Sequence, residues 1–321
     1  SPRAFPFSML KEISTYLIGK IQQFPISDRI LFNNKVIEIN KDHFQPIPEH
    51  SSQRSIAFID GGQAEIISAG NFCLSFIRIG ALVYRDNKII KNHKHEFYLL
   101  TAAKYEKEEV FYESKLFFTE QPLIDEKDLE ISSTDATIKI GMERASINAV
   151  ASMARRFAEL SLCGKVDADI IVLDGTLESS YRNEEKYLSR LPAQVCALAK
   201  SSSLFTASGN SPLILLNKLG PISCWSYYVE NNTYFVKLHV KSKHVFRFTG
   251  SEEFLPLLAE NSTDALFLGY PYGLIAVDRF ARVSNEEQKS LRMNILLKAE
   301  NKEITEYLSA TNAHDILDRL G

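Results

Sequence analysis

Apolar positions along this 321-residue chain change their spacing several times, and each change marks a new element. Between Phe7 and Phe24, Met9, Leu10, Ile13, Leu17 and Ile21 recur every three or four residues, which predicts a helix. A polar, proline-bearing connector around 42–52 follows. Ser55-Ile56-Ala57-Phe58-Ile59 is then a short apolar run that ends in Asp60-Gly61-Gly62, the pattern of a buried strand closed by glycine. Residues 64–68, 72–83 and 97–102, with Gly70 and Asp86-Asn87 as turn signals, predict a meander of antiparallel strands. For 110–118 periodicity does not decide between a strand and the start of a helix.

From about Thr134 the spacing becomes helical. Ile147, Val150, Ala151, Ala154, Phe157, Ala158 and Leu162 share one face, and Gly164 supplies a stop. The helix leads into a second strand closed by Asp-Gly, Asp169-Ile170-Ile171-Val172-Leu173-Asp174-Gly175-Thr176. Strand, meander, helix, strand is an α/β order, not an all-β one. Residues 225–229, 234–240 and 245–248 read as further strands, with Asn231-Asn232 as a turn. Helices are expected over 272–283 and 285–299, then a charged helical tail over 301–321. Without repeats or low-complexity tracts, the expectation is an N-terminal helical and extended segment over 1–50 and one elaborated α/β domain over 51–321.

Bulk properties narrow the function classes. The formal net charge of −3 removes any global basic field, so a nucleic-acid substrate would have to be drawn by local lysine and arginine clusters. No apolar run approaches the roughly 18 residues of a membrane span, and no charged start followed by an apolar stretch marks a secretory signal. A cytoplasmic protein is the expectation. Cys73, Cys163, Cys196 and Cys224 lie far apart without CxxC spacing, which fits buried free thiols better than structural zinc.

Each strand-Asp-Gly segment places one carboxylate where a strand meets solvent. A single such segment is most often only a turn. Two on neighbouring strands could share a divalent cation, because hard cations take oxygen ligands and leave room for phosphate. Phosphodiester hydrolysis of this kind needs three or four converging acids. Glu159, at the edge of the helical apolar stripe, is the leading third ligand, although Arg155 four residues earlier could simply pair with it. Glu143 is the reserve. Asp278, after the Tyr270-Pro271-Tyr272-Gly273 turn, is the fourth, with Arg282 available for an ordinary i, i+4 pair. Basic and aromatic residues interleave over 234–248. On a strand, Lys237, His239 and Lys241 would share one face, a surface suited to tracking phosphates or simply a solvated one. Arg247 continues the same segment, and His239 or His244 could serve as an outer-sphere metal or phosphate contact, although lone histidines beside strands are more often neither. Lys200 follows the apolar run 195–199 and could neutralise a phosphate. No phosphate loop, dinucleotide fingerprint or nucleophile elbow is present.

Taken in order, several segments resemble the NurA family of archaeal-type DNA end-processing nucleases. They are Ile59-Asp60-Gly61-Gly62, Arg155-Arg156-Phe157-Ala158-Glu159-Leu160, Val172-Leu173-Asp174-Gly175-Thr176-Leu177 and Ala199-Lys200-Ser201-Ser202. Phe235-Val236-Lys237-Leu238-His239 with Val245-Phe246-Arg247-Phe248, and Gly269-Tyr270-Pro271 through Asp278-Arg279, follow. Ala313-His314-Asp315-Ile316-Leu317 has the same look. The order of motifs from about 55 to 318 is more specific than any one of them, and no motif matches between Asp60 and Glu159. Thr176 stands where serine is expected, which preserves the hydroxyl.

The resemblance implies a ribonuclease H-like mixed sheet flanked by helices. It implies Mn²⁺-dependent cleavage of single-stranded DNA and duplex ends, 5′–3′ exonuclease and single-strand endonuclease in kind, with Mg²⁺ as the alternative ion. DNA end resection in double-strand break repair is the implied role, by a homodimer working with a hexameric HerA-type ATPase. Carried over by position, Asp60, Glu159, Asp174 and Asp278 become the catalytic metal ligands. Lys200, Lys237, His239, Lys241 and Arg247 become DNA contacts. Two other classes compete. An actin/hexokinase-type ATP-binding protein also uses Asp-Gly turns, but Gln63-Ala64-Glu65 lacks the hydroxyl such loops place after glycine. In a non-catalytic DNA-binding scaffold the same acids would be plain turns and ion pairs.

Overall fold

The computed structural model describes residues 7–25, 29–32, 35–49, 53–200, 204–298 and 302–311. The chain opens with helix α1 (Phe7–Gln22) and the short strands β1 (Arg29–Phe32), β2 (Lys35–Glu38) and β3 (Phe44–Pro46). Four long strands follow: β4 (Ile56–Ala69), β5 (Phe72–Arg85), β6 (Lys88–Glu106) and β7 (Glu109–Phe118), then β8 (Ile131–Ser132). Helix α2 (Ala149–Cys163), strand β9 (Ile170–Asp174), a short α3 (Glu185–Leu188) and β10 (Val195–Ala199) come next. After α4 (Pro212–Leu219) the strands β11 (Trp225–Glu230), β12 (Thr233–Lys237) and β13 (Phe246–Thr249) precede α5 (Leu255–Glu260). Three helices end the described chain, α6 (Tyr272–Ala281), α7 (Asn285–Leu296) and α8 (Lys302–Thr311).

These elements form two compact units, one made of Ser1–His50 with Leu198–Pro271 and the other of Ser51–Ala197 with Tyr272–Gly321. The second unit has the expected α/β architecture, a mixed sheet flanked by helices. Strands β4 to β8 form an antiparallel meander, and β9 joins β4 in parallel, Ile56 opposite Ile170 through Ile59 opposite Leu173. A parallel partner requires a crossover, and α2 supplies it, with Val150, Ala154, Phe157 and Ala158 buried against Ile59, Ile77 and Ile79. On the same sheet, Ile66, Ile67 and Phe76 form a second apolar cluster with Leu291 and Ile295 of α7 and with Ile304 and Leu308 of α8.

The first unit has its own core, in which Trp225, Tyr227 and Phe235 pack with Ile30, Phe32 and Leu216. Its strands β3, β11, β12 and β13 pair antiparallel. The hairpin between β11 and β12 turns at Asn231 and Asn232, with φ of 48° and 54°, a left-handed pair that asparagine tolerates.

Three expectations change. Residues 110–118 are strand, because they pair along β6 from Phe97 opposite Phe118 to Glu106 opposite Glu109. The strand expected over 234–240 ends at Lys237, and residues 239–241 form a turn. Most consequentially, glycine does not close the first strand: β4 runs on through Gly61 and Gly62 and for seven further residues, to Ala69. The apolar positions of α1 (Met9, Leu10, Ile13, Leu17 and Ile21) are exposed in this chain, so they add nothing to its core. The expected tail beyond 311, with Ile316, Leu317 and Leu320, lies outside the described residues. Cys73, Cys163 and Cys196 are buried free thiols and Cys224 is partly buried and free. Among the described residues no helix is long and apolar enough to cross a membrane.

Candidate active site

All four acids singled out in the sequence belong to the second unit. Asp60 and Asp174 follow directly after the paired residues Ile59 and Leu173 on the parallel strands β4 and β9. They are therefore neighbours across one strand spacing. Asp174 ends its strand, as expected, whereas Asp60 sits inside a strand.

The two glycines after Asp60 explain why that strand continues. A Cβ at Gly61 would lie 2.6 Å from Glu159 Oε1 and 2.7 Å from Arg155 Cγ, both on α2. A Cβ at Gly62 would lie 2.2 Å from the Ala281 carbonyl oxygen at the end of α6. Successive side chains point to opposite faces of a strand, so each bare position admits a helix from its own side. Glycine inside a strand marks such a close approach. A third contact fixes the other end of α6, where a Cβ at Gly273 would lie 2.1 Å from the Phe58 ring. The helices that carry Glu159 and Asp278 are thus both seated on β4 beside Asp60. Because β4 does not turn after Asp60, no phosphate-cradling loop of the ATP-binding kind forms there.

The carboxylates sense one another. Burial raises the Asp60 pKa to about 6, a hydrogen bond from the Gly61 N–H at 2.7 Å opposes the rise, and the charges of Asp174 and Asp278 add to it. Glu159 is only 7% exposed. Burial raises it to about 7, with Arg155 and Arg156 opposing and Asp60 and Asp174 adding. Arg155 is the cation already present: its Nη1 donates to the Gly61 carbonyl at 2.9 Å and its Nε lies 3.7 Å from Glu159 Oε1. Asp278 accepts a hydrogen bond from Arg282.

A set of four carboxylates is the donor chemistry of a hard divalent cation. Among the described residues no three His, Cys, Asp or Glu side chains stand close enough to hold an ion as they lie. Glu159 is turned to Arg155 and Asp278 to Arg282. Glu143 lies exposed in the turn ahead of α2, outside the helix.

Sequence reasoning missed the pair that holds this site's outer loop. Glu184 is fully buried. It accepts from Arg156 Nε at 2.7 Å and from the backbone N–H groups of Ser180 and Tyr181 at 2.7 and 2.9 Å. Arg156 also donates to the Thr176 carbonyl at 2.6 Å. Together they pin the chain that leaves Asp174 to the helix that carries Glu159. The two residues are 28 positions apart, without a spacing signal that would join them.

The expected DNA contacts all lie in the first unit. Lys237 and Arg247 are 8% and 7% exposed, and the Arg247 guanidinium stacks over Phe32 with its carbon 5.1 Å from the ring centre. They are not part of an open basic face, because β12 and β13 are inner strands whose residues here face the core. His239 and Lys241 lie in the turn, and Lys241 N–H donates to His239 Nδ1 at 3.2 Å. Lys241 and Lys200 instead line a cleft of about 670 Å³ with Lys243, His244 and Tyr270. Lys200 Nζ sits 5.2 Å from the centre of the Tyr270 ring. Lys243, which sequence reading did not single out, joins through the turn.

No protein-family model and no curated protein matches the sequence. Among solved structures, the chain is similar to human Endonuclease V (catalytic domain; 10% identity, 92% of this chain and 100% of that one, TM-score 0.33). It is also similar to Endonuclease V of Ciona intestinalis bound to an inosine-containing DNA (11% identity, 74% and 87%, TM-score 0.37). The NurA nuclease from Sulfolobus solfataricus is similar over 88% of this chain and 91% of its own, with 13% identity and a TM-score of 0.49.

Proposed function

We propose that this protein is a metal-dependent DNA nuclease of the NurA kind. The observation that carries the proposal is the seating of Glu159 over the bare Gly61, beside the register neighbours Asp60 and Asp174. Buried carboxylates gathered in this way repel one another, and a divalent cation relieves that repulsion. Asp60, Asp174, Glu159 and Asp278 would hold the ion, Mn²⁺ in preference with Mg²⁺ as the alternative. When bound, such an ion activates water and stabilises the leaving oxygen of a phosphodiester. The chain itself supplies a rigid seat for the acids. β4 and β9 fix two of them, and the glycine contacts of α2 and α6 orient the other two.

Arg155 and Arg282 pair with Glu159 and Asp278, and with an ion held by those acids their guanidinium groups would be available to phosphate oxygens. In the first unit, Lys200, Lys241 and Lys243 draw DNA through its backbone, independent of sequence. The finer reading follows the family resemblance: 5′–3′ degradation of duplex ends and cleavage of single strands, in end resection, by a cytoplasmic homodimer fed by a HerA-type hexameric ATPase.

The test uses end-labelled single- and double-stranded DNA with Mn²⁺, Mg²⁺ or EDTA. Asp60→Asn and Asp174→Asn should each abolish cleavage while the fold persists, since asparagine keeps the shape and loses the charge. Glu159→Gln and Asp278→Asn should follow. Full cleavage in EDTA, or by either folded aspartate variant, would remove the metal-site reading.

A further inference from the structure

In the first unit, the segment 239–244 that turns after β12 is held from both sides. On one side a Cβ at Gly269 would lie 2.2 Å from Ser242 Cβ, and the φ of 82° at Gly269 suits glycine alone. That close approach seats the loop 263–268 on the turn. On the other side Asn217 of α4 donates from Nδ2 to the Lys243 carbonyl at 2.9 Å. The cleft of about 670 Å³ between loop and turn therefore continues past the turn. A second cleft of about 340 Å³, between the turn and α4, shares Lys200, Lys243, His244 and Phe246 with it. Together they make one groove, from Leu266 at one end to Lys218 at the other.

Lys200, Lys218, Lys241 and Lys243 line this groove, and no aspartate or glutamate does. In a chain with 40 acids against 37 lysines and arginines, that is a local segregation of charge. Apolar side chains stand open at both ends. Leu266 is 86% exposed with the half-buried Phe267 beside it, and Ile214 is 53% exposed. Residues three and four apart share a side of a helix, so the Asn217 bond also turns Ile214 and Lys218 of α4 toward the groove.

An exposed leucine or isoleucine alone is ordinary. Here each apolar end adjoins lysines, and a nucleotide presents the matching pair, an apolar base face next to a charged phosphate. An aspartate or glutamate of an acidic peptide brings charge without an apolar face of its own. Inside a duplex the base faces are stacked away, so such seats reward only an unpaired strand.

We propose that this groove, extended onto α4, binds an unpaired nucleic-acid strand, with bases seated on Leu266 and Phe267 at one end and on Ile214 at the other, and phosphates held by the lysines between them. This rests on the nuclease reading and adds α4 and base contacts to the lysines already assigned.

The experiment measures binding in EDTA by fluorescence anisotropy as a function of salt. The probes are a labelled single strand, the same strand made abasic, and a duplex of equal length. Ile214→Ser/Leu266→Ser should bind the single strand about fivefold or more weakly, with its salt slope unchanged and no more than about a twofold change on the other two probes. Lys218→Gln should lower the log–log slope on the single strand by about 0.7, one phosphate contact. Ile140→Ser/Met142→Ser, at positions 89% and 95% exposed in the second unit, is the control and should bind as the wild type does. Thermal melting confirms that each variant is folded. A folded Ile214→Ser/Leu266→Ser protein that matches the control on the single strand, or loses as much on the abasic strand, overturns the proposal. So does poly-glutamate that displaces the strand at equal charge, which would make the groove a seat for acidic polymers. In these cases EDTA-sensitive cleavage by the wild type keeps the nuclease reading. A wild type that neither binds nor cuts DNA overturns both.

Discussion

Gly61→Ala is the most direct probe of the site, because one methyl group would enter the gap that Glu159 crosses. The added Cβ would sit 2.6 Å from Glu159 Oε1, 2.7 Å from Arg155 Cγ and 2.8 Å from Ile79 Cδ1. All three are side-chain atoms, two of them terminal, so the backbone can stay in place while the side chains retreat. Overpacking of a filled site costs about 1–3 kcal/mol, and yielding side chains place this variant at the lower end. The retreat of Glu159 removes a carboxylate from the ion, so metal affinity should fall by tenfold or more. Gly62→Ala supplies the contrast. Its Cβ would meet the Ala281 carbonyl at 2.2 Å, a backbone atom that moves only if the end of α6 lifts from β4. That variant should lose about 3 kcal/mol or more by the same overpacking rule. Denaturant unfolding of the metal-free protein and Mn²⁺ titration by electron paramagnetic resonance read the two quantities separately. A Gly61→Ala protein with wild-type stability and wild-type Mn²⁺ affinity would show that Glu159 does not work across this gap.

Three further outcomes are expected. In the metal-free protein Glu159 titrates at about 7 instead of 4.5 and Asp60 at about 6. A raised folded pKa stabilises fully below the ordinary carboxylate range and is lost as pH rises through the folded value. Unfolding free energy should therefore fall between about pH 4 and 8, with on the order of 3 kcal/mol of it from Glu159. Glu159→Gln should flatten the decline, and a wild type more stable at pH 8 than at pH 5 would refute this. Glu184→Ala leaves Arg156 buried without its carboxylate and should cost about 3–5 kcal/mol, measured by chemical denaturation; a loss under 1 kcal/mol would mean that the loop after Asp174 is held by other contacts. Light scattering should give about twice the 36.3 kDa chain mass, and a monomer at micromolar concentration with full nuclease activity would remove the dimer.

The sequence by itself determined most of the elements and singled out the candidate acids. Helical spacing from Ile147 to Leu162 gave α2, because an amphipathic stripe has to be buried on one side, and the run Ile170–Leu173 gave β9 for the same reason in strand form. Asp60 and Asp174 stood out as candidates, since carboxylates at Asp-Gly positions after buried strands differ from ordinary surface charge, whereas Glu159 and Asp278 were singled out by helix placement and the family resemblance. What the glycines do was decided only by the tertiary structure. Locally, Gly61-Gly62 reads as a turn, but β5 pairs with both residues, and packing of α2 and α6 needs the missing side chains there. Pairing and close approach are long-range events that outweigh a local preference. The basic segment shows the same limit. Alternation assigns Lys237 to a face without saying whether that face meets solvent, and the core of the first unit took it. Arg156 and Glu184 are paired by helix and loop placement alone, which no spacing along the chain records.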